Sequence, residues 1–151
     1  MNTSATLQAE RQVTLSLLAK APQARVPQLL DAAFERPAFT WLRMPEIGSV
    51  MVRGRAGSKG APFNLGEMTI TRCTLRLATG EVGHAYVQGR RKADAEASAI
   101  IDALMQTDKA DLARTTVLDP LQAEMSQTCK KRAAKAAATK VDFFTLVRGE
   151  D

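Results

Sequence analysis

Histidine occurs once in the sequence, as His84, and cysteine twice, as Cys73 and Cys129. Two cysteines so far apart make neither a disulfide framework nor a metal knuckle, and one histidine does not complete a metal site with them. Tryptophan and tyrosine each occur once, and aromatic residues are 5% of the chain, so stacking platforms for unpaired bases are scarce. No run approaches the roughly 18–20 consecutive apolar residues of a membrane span. The opening Met1-Asn2-Thr3-Ser4-Ala5-Thr6 has no basic stretch leading into an apolar one, so it does not read as a secretory signal. These absences predict a cytoplasmic protein with no metal, no membrane contact and no nucleic-acid partner.

What is present is ordinary in amount and uneven in placement. The 151 residues suit one domain spanning 1–151, and 45% apolar content is enough for a single core. The net charge is +5, but residues 41–92 hold 9 basic and 3 acidic side chains, whereas residues 93–129 hold 2 basic and 7 acidic. A basic middle followed by an acidic helix makes a dipolar protein, suited to phosphates or to an acidic partner surface, or simply to a solvated arginine face.

Periodicity predicts helices over Leu7–Lys20, where Leu7, Val13, Leu17 and Leu18 recur, and over Val26–Phe34, closed by Pro37. From Phe39 the pattern turns to strands. Val50 and Val52 alternate with Met51, Arg53 and Arg55, and Gly54–Gly60 reads as a loop. In the next strand Met68 and Ile70 share one parity, and Cys73, Leu75 and Leu77 the other; a bulge near Thr71-Arg72 would let both face one core. Thr79-Gly80 turns the chain into a partner strand, Val82–Gln88. Ala93, Ala97, Ile100, Ile101, Leu104 and Met105 then form a helical stripe, with Glu96 and Asp102 off it. Asp119-Pro120 reads as the capped start of a last helix through Leu121, Met125, Cys129, Ala133 and Ala136. The expected fold is α+β: a small antiparallel meander of three to four strands packed with N-terminal and C-terminal helices.

Little in this frame has the pattern of a catalytic site. Arg53-Gly54-Arg55-Ala56-Gly57-Ser58-Lys59-Gly60 is glycine-rich and basic, but Lys59 precedes Gly60, which is the wrong order for a nucleotide-binding P-loop. His84 shares a strand face with Tyr86 and Gln88, and no acidic residue lies near it in sequence to orient it as a base. Cys129 falls on the apolar stripe of its helix, which argues against a nucleophile. Arg53, Arg55, Arg72, Arg76 and Arg90 come from the strands and the hairpin exit. With His84 and Gln88 they are the candidate residues for binding an anion or a partner, since guanidinium groups suit bidentate contacts with phosphate or carboxylate. The apolar tail holding Val141, Phe143, Phe144, Leu146 and Val147 is either a closing strand or a two-sided segment, with Phe143 and Phe144 docking a partner.

Four stretches together resemble the PhnG family, a subunit of the bacterial carbon–phosphorus lyase machinery. They are Ala61–Cys73, Gly83–Arg90, Ala99–Gln106 and Val141–Gly149, in the family's order. The resemblance implies assembly with PhnH, PhnI and PhnJ subunits into a two-fold symmetric complex. It implies a non-catalytic, accessory role in displacing adenine from ATP by an alkylphosphonate, which gives a ribose 1-alkylphosphonate 5-triphosphate. The nucleosidase activity would belong to PhnI, and the radical step to PhnJ with its iron–sulfur cluster, so the chain would bring no cofactor of its own. The resemblance carries over no catalytic residue, and a tyrosine can stand in the family at the position of His84. The competing readings are a stand-alone anion-binding enzyme and a basic nucleic-acid module.

Overall fold

A computed structural model describes residues 3–57 and 59–140, with side chains from Thr6 onward. The expected docking residues Phe143 and Phe144 lie outside the described residues. Helices α1 (Thr3–Ala19) and α2 (Arg25–Ala33) precede strands β1 (Phe39–Arg55), β2 (Pro62–Leu77) and β3 (Val82–Gln88). Helices α3 (Lys92–Leu104), α4 (Ala110–Ala113) and α5 (Asp119–Ala138) follow. The strands form an antiparallel meander in the order β1-β2-β3, so the arrangement is α+β.

α3 is the centre of the molecule. Ten of its thirteen residues are buried, because β2, β3, α1 and α2 all pack on it. Its small side chains permit this. Ala95, Ala97, Ala99 and Ala103 are fully buried, and a Cβ on Gly83 of β3 would fall 1.9 Å from the Ala99 carbonyl oxygen. Only glycine allows so close an approach of strand to helix. Around α3 the core is filled by Leu18, Val26, Leu30, Cys73, Leu75, Val87, Val117 and Leu121. The burial of Asp102, off the predicted apolar stripe, follows from the same crowding: a helix covered on nearly all sides has no polar face.

The parity conflict in β2 is resolved without the expected bulge at Thr71-Arg72. The β2–β3 register runs unbroken from Ile70 opposite Gln88 to Arg76 opposite Val82. Thr71, Cys73, Leu75 and Leu77 face the helices, while Met68 and Ile70 face the other side of the sheet. The irregularities lie against β1 instead, between Trp41 and Arg43, between Arg43 and Glu46, and between Val52 and Arg53. Pro45 sits within the second of these, on an edge strand, where its missing N–H costs no ladder bond. The connection is shifted along the chain from the expected Gly54–Gly60, because β1 continues through Arg55 and β2 begins only at Pro62.

Two helical expectations need correction. α5 has no capped start at Asp119: the chain is already helical through α4 and a π-helical turn, Arg114–Leu118, that leads straight into it. Pro120 cannot donate a helical hydrogen bond and its ring crowds the preceding turn, and the wider turn accommodates that. Cys129 is exposed, not on a buried stripe. Only Leu121 of α5 is buried, and every residue from Gln127 to Lys140 is exposed, so the distal half of α5 leaves the body of the protein. In α1, Leu7 and Val13 also face solvent, while Leu18 enters the core.

Candidate functional site

The outer face of the sheet, opposite the helices, collects the polar candidates. Strand pairing sets Arg72 opposite Tyr86, Thr74 opposite His84, Ile70 opposite Gln88 and Arg76 opposite Val82, so these side chains share one face. The predicted sharing of a face by His84, Tyr86 and Gln88, opposite buried Ala85 and Val87, is observed. A shallow depression of about 330 Å³ lies here, lined by Arg43, Arg72, Thr74, His84 and Tyr86. The Arg72 Nε donates to Glu46 Oε1 at 2.6 Å, and this carboxylate, with the nearby Tyr86 hydroxyl, holds the guanidinium above its ordinary pKa. The His84 Nδ1 lies 3.1 Å from Thr74 Oγ1.

The other arginines lie elsewhere. Arg53 and Arg55 sit at the far end of β1 and alternate with half-buried Val52 and Gly54, on the face that continues the helix side of the sheet. Arg90 is exposed in the turn after β3. The structure therefore brings Arg72, Arg76, His84 and Gln88 onto one surface and places Arg53, Arg55 and Arg90 apart from it.

Beneath His84 runs a network that the sequence did not reveal. The buried Asp102 carboxylate accepts from Arg11 Nε at 2.9 Å and Arg11 Nη2 at 2.7 Å, and also from the His84 backbone N–H at 2.8 Å. Arg11 donates further to the Val82 carbonyl, and its bond to Asp102 raises its pKa above the ordinary value. Asp102 thus fixes the His84 backbone, not its ring. A groove of about 600 Å³ opens beside this pair, lined in part by Thr14, Gln106 and Arg114. Two more buried polar groups act the same way: Asp94 accepts from the N–H of Ala24, and Thr71 Oγ1 donates to the Gly89 carbonyl while accepting from the Arg91 N–H. Asp94 and Asp102 carry a sequence signal, a carboxylate between two apolar neighbours in a helix, whereas Thr71, between Ile70 and Arg72, carries none.

The polar and charged groups of this face suit recognition. Burial pushes the Cys73 thiol up to about 12, so it is protonated at neutral pH and is no nucleophile. Among the described residues, no group of three His, Cys, Asp or Glu side chains is placed to hold a metal ion. No helix among them is long and apolar enough to cross a membrane. The candidate site is an open, polar sheet face, which is the surface of a binding or assembling protein more than a cavity enclosing a substrate.

Comparison with known proteins gives that class a particular identity. The family of phosphonate metabolism protein PhnG matches residues 9–149, and the chain belongs to this family. It is 43% identical over 143 residues to the α-D-ribose 1-methylphosphonate 5-triphosphate synthase subunit PhnG of Rhizobium meliloti (strain 1021), covering 95% of this chain and 92% of that protein.

Proposed function

We propose that this chain is the PhnG subunit of a ribose 1-methylphosphonate 5-triphosphate synthase and serves it as an accessory, non-catalytic component. The observation that carries the reading is the near full-length match to the synthase subunit, which covers 95% of the chain. The geometry supports the accessory role: the ring of His84 meets a threonine hydroxyl, Cys73 is buried, and Arg72 is held by Glu46. In this reading the chain works in the cytoplasm with PhnH-, PhnI- and PhnJ-like subunits in a two-fold symmetric complex. ATP is a substrate of the whole assembly, and an iron–sulfur cluster resides in the PhnJ-like subunit. The outer sheet face bearing Arg72 and Arg76 is a contact surface, not a reaction centre.

The test is release of adenine from ATP in the presence of methylphosphonate. The purified chain alone is expected to release none, and addition of the chain to its partner subunits is expected to restore turnover that they lack without it. Turnover by the isolated chain, free of partners, would overturn the accessory role. Partner activity that is indifferent to the chain would overturn the assignment itself.

A further inference from the structure

β1 and β2 run well past the body of the protein as a two-stranded arm. β3 pairs with β2 only from Ile70 to Arg76, so among the described residues the Pro62–Thr69 half of β2 has β1 on one side and no strand on the other. β1 is an edge strand throughout. An arm with two open edges is marginal in water by itself and is a template for unwanted pairing. The side chains sharpen the problem, since Ile47, Met51, Phe63 and Leu65 are 46%, 52%, 46% and 66% exposed.

One face of the arm is an apolar stripe. Val50 lies opposite Met68 and Val52 opposite Gly66, and the irregularity after Val52 sets Phe63 opposite Gly54. A Cβ built on Gly54 would sit 3.8 Å from both Leu65 Cβ and Phe63 Cζ, an ordinary contact distance, so these two side chains lie together over Gly54 on that face. The charge on the opposite face and in the connecting turn is predominantly of one sign: Arg53 and Arg55 alternate with the stripe along β1 and Lys59 follows in the turn, against Glu67 alone within residues 47–69.

We propose that the arm is the docking element of this subunit, and that its occupant is a different protein subunit presenting an apolar cleft with a carboxylate rim. This rests on the proposed function, which supplies the assembly. A second copy of the chain is the poorer fit, because two arms side by side would set six cations against two carboxylates. Nucleic acid is poorer still, because the stripe is aliphatic apart from Phe63 and offers bases almost nothing to stack on.

Two variants test it, each co-expressed with PhnH-, PhnI- and PhnJ-like subunits beside the wild type: Phe63→Ser with Leu65→Ser, and Arg53→Glu with Arg55→Glu. The expected result is that the wild type co-elutes with the partners. Both variants should melt as the wild type does when isolated, yet bind the partners at least about tenfold more weakly, as hot-spot truncation and charge reversal do at interfaces. Should the serine pair lower the melting point, the glutamate pair at the exposed end of the arm decides alone. Co-elution of the glutamate pair at wild-type strength overturns the arm while leaving the proposed function standing. A wild type that fails to co-elute overturns the proposed function. An isolated wild-type dimer that the serine pair makes monomeric overturns the proposal in favour of a second copy. Salt-dependent retention on a single-stranded oligonucleotide, lost in the glutamate pair, overturns it in favour of nucleic acid.

Discussion

Asp102 shows how one side chain can hold three elements. It is 1% exposed, and three donors converge on its two oxygens: two from Arg11 of α1 and the backbone N–H of His84 in β3. The carboxylate therefore ties α1 and the edge of the sheet to α3, and it explains why α1 docks although Leu7 and Val13 remain in solvent. Replacing Asp102 with alanine leaves the His84 N–H without its buried acceptor. It also frees Arg11, whose side chain is 39% exposed and can turn to water. The expected loss is about 2–3 kcal/mol, below the value for a fully buried pair because of that escape. Arg11→Ala is the harsher test of the charge, since it strands a buried carboxylate with a single backbone donor. The double variant should cost less than the sum of the two. Urea unfolding of the three proteins measures this, and a loss under about 0.5 kcal/mol for Asp102→Ala would reduce the network to surface decoration.

Elements whose signals are local were legible in the sequence, and those that depend on a neighbour were not. Thr79-Gly80 announces the β2–β3 hairpin because glycine takes the turn's positive φ, here 111°. α2 announces itself through Pro27 in its first turn and a short apolar pattern. The parity switch in β2 was misread because both apolar sets were assigned to one core, whereas Met68 belongs to the stripe on the arm. The extra residues of β1 around Pro45 are defined only by their pairing with β2, so β1's own sequence does not reveal them. The distal half of α5 has helix-forming alanines without a face to bury, and helical spacing alone suggested a stripe at Cys129 that the body does not reach. The candidate site was legible in part: the shared face of His84, Tyr86 and Gln88 follows from strand alternation, but the separation of Arg53 and Arg55 from Arg72 and Arg76 required the register. Hydrogen exchange should register the contrast between arm and body. Amides of β2 from Ile70 to Arg76, paired on both sides, are expected to exchange at least roughly 100-fold more slowly than those of residues 62–69, which open locally. Equal protection along β2 would mean that the arm is stabilised by something other than a partner.

At the scale of the whole molecule, the carboxylates are consumed inward and the cations are left outside. Asp94 and Asp102 are buried and hydrogen-bonded, while Glu46, Glu96, Glu124 and Asp31 are engaged by Arg72, Arg36, Arg25 and Arg36 respectively. The acidic segment 93–129 therefore projects less negative field than its composition suggests. Arg53, Arg55 and Lys59 at one extremity, and Lys130, Lys131, Arg132 and Lys135 on the exposed end of α5 at another, stand in solvent. Exposed cations at the ends of projecting elements act mainly on encounter, because their field reaches a partner before contact and is screened beyond about 8 Å at physiological ionic strength. The apolar stripe of Val50, Val52, Phe63, Leu65 and Met68 acts after contact, by excluding water, and its contribution resists salt. The two parts of the docking surface should thus separate kinetically. Raising salt from about 50 to about 500 mM is expected to slow association with the partner subunits roughly tenfold and leave dissociation nearly unchanged. Phe63→Ser with Leu65→Ser should do the reverse, hastening dissociation at all salt concentrations while association keeps the wild-type salt dependence. Surface-plasmon traces of the chain on immobilised partner complex resolve both rates. An association rate indifferent to salt would show that the cations do not steer the encounter, and a serine pair that slowed only association would show that the stripe is not buried in the complex.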